Sequence, residues 1–187
     1  MTNICISVRV TLVLMVLCGA AYPLAVTGAA QALFPGQANG SLIERQGVII
    51  GSALLAQAVE SPKLFHPRAS SAGYNAAASA GSNKAVASEA YAHDIAAQVE
   101  ALRKLYPGLE RIPADWVTGS GSGLDPDLSP EAAKAQALRI SRETGLGEQE
   151  LMELIDSCTQ GRQLGLFGEP RVSVLALNLA LLERIRL

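Results

Sequence analysis

The stretch richest in groups that could do chemistry is Thr118-Gly119-Ser120-Gly121-Ser122-Gly123-Leu124-Asp125-Pro126. Alternating glycine and serine can turn several backbone N–H groups toward one point. That makes an anion-binding nest to which serine hydroxyls add donors. The spacing is not the dinucleotide fingerprint G-x-G-x-x-G. Nor is it the nucleophile elbow G-x-S-x-G, because Gly121 stands where the nucleophile would be. The same residues also allow a structural reading, in which Asp125 caps the following turn and the loop holds itself together. A second polar cluster, Arg68, Ser70, Ser71, Asn75, Ser79, Ser82 and Asn83, precedes this loop. Arg68 is a candidate either for an ion pair with Asp125 across the fold or for a partner's surface. His66, in Phe65-His66-Pro67-Arg68, reads as a surface or capping histidine, and His93 as solvent-facing on a helix. The two histidines are not at metal-ligand spacing, and the chain has no H-E-x-x-H, C-x-x-C or Walker A pattern. Neither a catalytic nor a metal-ligating residue is expected.

These loops need elements to position them. Leu42-Ile43 and Val48-Ile49-Ile50 read as short strands on either side of Gly47. Residues 52–59 are undecided between strand and helix, and Ser61-Pro62 to Asn83 reads as a long loop. Tyr91, Ile95, Val99, Leu102 and Tyr106 recur at helical spacing, with Glu100 and Lys104 placed for an i,i+4 ion pair. Pro107-Gly108 ends that helix. Ser129-Pro130-Glu131 is a helix start, with Ala133, Ala137, Ile140 and Thr144 on the inner face and Gly145 as the stop. Leu151, Leu154, Ile155 and Cys158 mark a third helix from near Gly147. Leu175, Leu177, Leu179 and Leu181 alternate, which predicts a half-buried strand over 171–182, with a helical second half open on composition. The expected class is α+β, with about three helices packed on a small sheet.

Upstream, no Asp, Glu, Lys, Arg or His occurs in the 34 residues between Arg9 and Glu44. Residues 10–34 are long enough to cross a bilayer core, which takes about 20 apolar helical residues. Arg9 on the N-terminal side places that end in the cytoplasm by the positive-inside rule. A cleaved signal peptide ending near Ala21 has the same ingredients. The retained anchor is favoured because apolar character continues to Phe34. In addition, Ala21, Ala25 and Ala29, with Gly28 and Ala32 beside them, offer a small-residue face to a partner helix. Pro23 predicts a kink. The expected organisation is a cytoplasmic N-terminus (1–9), a transmembrane helix (10–34) and one extracytoplasmic domain (35–187). Cys5, Cys18 and Cys158 leave that domain without an internal disulfide framework. The composition fits this division: 49% of the chain is hydrophobic and 17% charged, with a mean hydropathy of +0.25. A net charge of −2 argues against a nucleic-acid binder.

Several motifs occur in order along nearly the whole chain: Tyr22-Pro23-Leu24 with Thr27-Gly28, Phe65-His66-Pro67-Arg68, Gly81-Ser82-Asn83, Pro113-Ala114-Asp115-Trp116-Val117-Thr118, the Ser120 to Pro126 loop, and Arg171-Val172 with Leu177-Asn178-Leu179-Ala180-Leu181. Together they resemble the C subunit of the bacterial Kdp-type potassium-transporting ATPase. The sequence departs from that pattern at Asp127 (often His), Ala80 (usually Gly), Ser173 (commonly Asn) and Ala69 (usually Pro). The resemblance implies a non-catalytic subunit of the bacterial inner membrane, with its main domain in the periplasm. Its implied partners are a potassium-binding channel-like subunit, a P-type ATPase subunit and a small single-helix subunit. It also implies ATP as a ligand, with Ser120, Ser122, Gly123 and Asp125 as the nucleotide-binding candidates, and a role in raising the ATPase subunit's affinity for ATP. An N-in anchor puts the domain where ATP is absent, so a structural role beside the potassium-binding subunit meets fewer objections. The alternative is a secreted or membrane-tethered enzyme that uses the serine loops and is unrelated to transport.

Overall fold

The computed structural model describes residues 2–185, which divide between Ser52 and Ala53 into two compact units. Met1 and residues 186–187, the ends of the expected N-terminal segment and outer domain, lie outside the described residues.

The first unit opens with one long helix, α1, Thr2–Leu33. It starts eight residues before the apolar run, so Arg9 lies within it. No residue of α1 is buried in the chain. Where Pro23 predicts a kink, the helix widens into a π-turn over Leu17–Ala21, closed by the Tyr22 N–H on the Leu17 carbonyl. Proline lacks the N–H that would bond four residues back, and its ring crowds that carbonyl. A π-turn just ahead of it is one way a helix absorbs the insult. After the helix breaks at Phe34, a single turn, Pro35–Ala38, leads into a hairpin of β1, Leu42–Arg45, and β2, Val48–Ser52. Gln46 (φ 54°) and Gly47 (φ 78°) both take the left-handed conformation, as a two-residue hairpin turn requires. Both expected strands are present.

The second unit begins with a segment, 53–87, that has no helix or strand. The undecided residues 52–59 therefore resolve as the end of β2 and then loop. Helix α2, Glu89–Leu105, starts at Ser88, whose side chain accepts the Tyr91 N–H. Its expected inner stripe is half-buried rather than buried, and Tyr106 beyond its end rests against Trp116 at a ring distance of 5.0 Å. Lys84–Asp94 is formed at 2.6 Å, whereas the expected Glu100–Lys104 pair is not among the ion pairs of the described residues.

Helix α3, Pro130–Thr144, has the expected Ser129 cap and ends on Gly145 at φ 79°. Helix α4, Glu148–Cys158, follows. Strands β3, Asp127–Leu128, β4, Thr159–Gln160, and β5, Arg171–Ser173, form an antiparallel sheet in the order β3-β5-β4.

At the C-terminus the expected strand over 171–182 is corrected to a short one, and the helical second half left open is present. The strand ends at Ser173 and helix α5, Val174–Ile185, replaces the rest. Of the alternating leucines only Leu177 and Leu181 are buried, and the buried set Val174, Leu177, Asn178, Leu181 has helical spacing. A run rich in leucine and alanine favours helix. Its period-two pattern arises because leucine also occupies half-exposed positions. The second unit is therefore α+β with four long helices among its described residues, where about three were expected. Helices α3, α4 and α5 pack with the small sheet around Ile140, Leu151, Ile155, Val172, Leu177, Leu181 and Phe65.

Candidate functional site

The loops carrying the polar motifs have no strand partners, so their backbone groups must find others or lose hydrogen bonds on burial. Two side-chain amides serve Phe65 and His66. The Phe65 N–H donates to Asn178 Oδ1 at 2.7 Å, and Asn178 Nδ2 donates to the Phe65 carbonyl at 2.9 Å. The His66 N–H donates to Gln136 Oε1 at 2.8 Å, and Gln136 Nε2 donates to the His66 carbonyl at 2.9 Å. Both amides are buried, Asn178 on α5 and Gln136 on α3. Arg139, one turn on from Gln136, donates to Gln136 Oε1, to the Leu64 carbonyl and to the Pro62 carbonyl. Sequence reasoning missed Gln136 and Arg139 and met Asn178 only as part of a motif. The available signal was a polar residue on an apolar helix face: Asn178 beside Leu177, Gln136 beside Ala133 and Ala137.

This clamped segment presents Arg68 to the glycine-serine loop. Arg68 Nη1 lies 3.0 Å from Asp125 Oδ2, so the ion pair considered from sequence is formed. Its Nη2 donates to the Gly119 carbonyl at 3.3 Å. Asp125 Oδ1 accepts the Asp127 N–H at 3.1 Å, which is the turn cap considered beside the nest. Ser120 is buried, and its Oγ accepts the N–H of Gly123 at 2.9 Å and of Asp125 at 3.3 Å. Ser122 Oγ accepts the Leu124 N–H and meets Ser120 Oγ at 3.1 Å. Ser70 Oγ donates to the Gly123 carbonyl, and Ser79 Oγ to the Ser122 carbonyl. Of the second polar cluster, Arg68, Ser70 and Ser79 thus join the loop. Asn75 and Ser82 cap local turns, and Ser71 and Asn83 stay exposed.

The alternative role of the loop is a phosphate-binding nest, and the residues present do not fit a triphosphate. The N–H groups of Gly123, Leu124 and Asp125 already serve serine oxygens. The hollow beside the loop, about 440 Å³, is lined by Leu54, Leu55, Ser79, Ser120 to Ser122, Leu124, Asp125 and Pro126 and carries no basic side chain. The nearby cation, Arg68, is held by Asp125. A polyanion is recognised by N–H donors and cations free to face it. Ser120 and Ser122 also have no base within hydrogen-bond reach among the described residues. His66 Nε2 is bonded to the Ser61 carbonyl at 2.9 Å, and His93 is exposed on α2. No group of three or more His, Cys, Asp or Glu side chains among the described residues is placed to hold a metal ion.

Burial lowers the His66 pKa from 6.5, Arg139 lowers it further, and the Ser61 carbonyl opposes both. The unfolded chain therefore takes up its proton first as pH falls. Stability from this group is complete above about pH 6.5 and is lost below it, down through the folded value. Melting curves of the full chain in detergent, taken from about pH 7 to about pH 5, should show the loss, and His66→Gln should flatten it. Equal slopes for the two proteins would contradict the assignment. Burial raises the pKa of Asp127, while Arg171 at 3.2 Å opposes the shift.

The family model described as KdpC, K+-transporting ATPase, c chain, matches residues 4–183. A potassium-transporting ATPase KdpC subunit from Rhodospirillum rubrum is 52% identical over 177 residues, covering 93% of this chain and 92% of the relative. The namesake from Caldanaerobacter subterraneus subsp. tengcongensis is 46% identical over 182 residues, covering 96% and 94%. One from Methylobacterium nodulans is 50% identical, covering 94% and 96%. The ordered motifs and this similarity over nearly the whole chain agree: the chain belongs to the KdpC family of K+-transporting ATPase subunits.

Proposed function

We propose that this chain is the membrane-anchored accessory subunit of an ATP-driven potassium importer. Its N-terminus lies in the cytoplasm of a bacterial inner membrane and its larger unit lies on the periplasmic side. There it stabilises the assembly of a potassium-binding channel-like subunit, a P-type ATPase subunit and a small single-helix subunit. The observation that carries the reading is the family match itself, which begins at residue 4, inside α1. The helix therefore belongs to the part shared with the family. As an isolated chain α1 leaves 32 apolar-rich residues without burial, and lipid and partner helices are the surroundings that cover such a surface. Ala25, Gly28, Ala29 and Ala32 fall within one arc of α1, with Ala21 at the end of the π-turn ahead of them, and Gly28 has open space around it. That arc is the packing face assigned to partner helices. A role in raising ATP affinity would act through contacts between subunits, not through a nucleotide held by Ser120, Ser122, Gly123 and Asp125.

Gentle detergent extraction from native membranes tests the assignment. The chain should migrate with the larger subunits, and its intact mass should retain residues 1–20. A chain that extracts as a stable monomer would overturn the subunit role. A mass lacking residues 1–20 would restore the secreted alternative. Orientation is read by Glu110→Cys in a background carrying Cys5→Ser, Cys18→Ser and Cys158→Ser, which an impermeant thiol reagent should label from the periplasmic side; protection there would reverse the orientation.

A further inference from the structure

Away from the glycine-serine loop, the second unit holds a hollow of about 490 Å³ lined from the end of α2, the 58–74 segment and the helical turn Ala114–Val117. Its size is that of a small-molecule site. Tyr74, Tyr106 and Trp116 supply three half-buried aromatic walls, and Glu60 and Asp115 supply two carboxylates. The Tyr106 and Trp116 rings stand 5.0 Å apart with their planes tilted by 54°, so they make a corner rather than a stack. The Trp116 Nε1 is buried without an acceptor among the described residues, so packing of the ring, not its N–H, sets where it stands. Asp115 is fixed by the Ser129 N–H, which donates to its Oδ2 at 2.7 Å. Glu60 is exposed and is in none of the ion pairs of the described residues.

The charge of this lining selects the ligand. An anion would face two carboxylates, and among the described residues no Lys or Arg lines the hollow. His66 also lines it, but burial lowers its pKa, so at neutral pH it adds no positive charge. An uncharged apolar ligand would suit the rings and leave both carboxylates unanswered. A cation answers both kinds of wall, because the face of an aromatic ring is negative and attracts a cation within about 6 Å of its centre. A metal ion would have to exchange its water for apolar rings, and no group of three or more His, Cys, Asp or Glu side chains is placed to hold one among the described residues. A quaternary ammonium group is sheathed in methyl groups and donates no hydrogen bonds, so an aromatic corner costs it little and attracts it well. A choline lipid would bring its phosphate against Glu60 and Asp115, which like-charge repulsion disfavours. The lining therefore suits a soluble cation that carries no acidic group.

We propose that Tyr74, Tyr106 and Trp116, with Glu60 and Asp115, form a binding site for a small soluble quaternary ammonium compound. The inference stands on the second unit alone and does not depend on the subunit role. Trp116 is the single tryptophan of the chain, so its fluorescence reports on this hollow. The full chain in an uncharged sugar detergent is titrated with choline, which should change that fluorescence to saturation. Dimethylbutanol, in which carbon replaces the charged nitrogen, should bind roughly tenfold more weakly or not at all. Phosphocholine should also bind more weakly than choline, because its phosphate meets the two carboxylates. Tyr106→Leu keeps apolar volume and removes one aromatic face, and Glu60→Gln removes one charge at an exposed position. Each should raise the choline midpoint roughly fivefold, and Glu60→Gln should do so at an unchanged melting temperature. No saturable change with choline overturns the site. So does a midpoint for dimethylbutanol equal to that for choline, which would mean that the rings take any apolar group. Phosphocholine binding as tightly as choline, or a Glu60→Gln midpoint equal to wild type, would likewise overturn it, since the carboxylates would then not select the ligand.

Discussion

Asn178→Ala is expected to destabilise the second unit by about 3–5 kcal/mol, because it strands the buried N–H and carbonyl of Phe65 at roughly 1–3 kcal/mol each and opens a small cavity. Against the ~5–15 kcal/mol that holds a typical domain together, that is enough to empty much of the folded state on warming. Asn178→Leu separates the hydrogen-bonding account from simple space-filling. Leucine restores apolar volume but leaves both Phe65 groups without partners, so it should recover little of the loss. Thermal and urea unfolding of the full chain in detergent would measure both variants. An Asn178→Leu protein as stable as wild type would show that volume, not the amide, is what the position requires. The expected cost is large because the clamp joins residues 113 apart in sequence. Releasing Phe65, which is fully buried, frees the segment that carries Arg68 to the glycine-serine loop.

Gly123→Ala is expected to rank next, at roughly 2–5 kcal/mol, from two additive causes. The residue sits at φ +71°, where an L side chain is strained, and the new Cβ would lie 2.6 Å from the Ala80 carbonyl oxygen and 2.8 Å from the Ala72 Cβ. The first obstacle is backbone and has little room to retreat. Gly145→Ala isolates the conformational part, since Gly145 holds φ +79° with nothing within 4 Å of an added Cβ. It should cost only about 1–2 kcal/mol. Comparable losses in melting temperature for the two variants would mean that the close approach of the 72–80 segment contributes nothing. This contrast also bears on the loop's role. A glycine needed for packing against a neighbouring segment belongs to a structural joint, in keeping with serine hydroxyls that face inward onto backbone N–H groups.

Local signals were legible in the chain as written. The Ser129 cap, Pro130 and Gly145 delimit α3 because capping is satisfied within a few residues of the helix end. The stripe Leu151, Leu154, Ile155 placed α4 because helical spacing of apolar residues is read within two turns. Over Arg171–Leu182 the strand expected from alternation is only three residues long and the helical second half left open by composition is what forms, because alternation in a leucine-rich run fits a strand and a helix alike and burial decides between them only once α4 and β5 are in place. The candidate site was half legible. Arg68 and Asp125 were paired in advance as one of two options, since opposite charges flanking glycine-rich loops invite it. Gln136, Arg139 and the inward turn of Ser120 were not, because a side-chain amide announces no partner.

The sequence by itself determined that a 34-residue charge-free stretch precedes a mixed α+β domain, and which family the chain resembles, because hydropathy, caps and ordered motifs are written within short windows. Only the tertiary structure decided what the polar motifs do. Asn178 and Gln136 hold Phe65 and His66, and the serines of the 118–126 loop satisfy that loop's own backbone. It also brought Tyr74, Tyr106 and Trp116 to one hollow. The physical reason is the same in each case: a hydrogen bond or a buried surface is a relation between residues far apart in sequence. The identity of the partner is fixed by the fold, not by either residue alone.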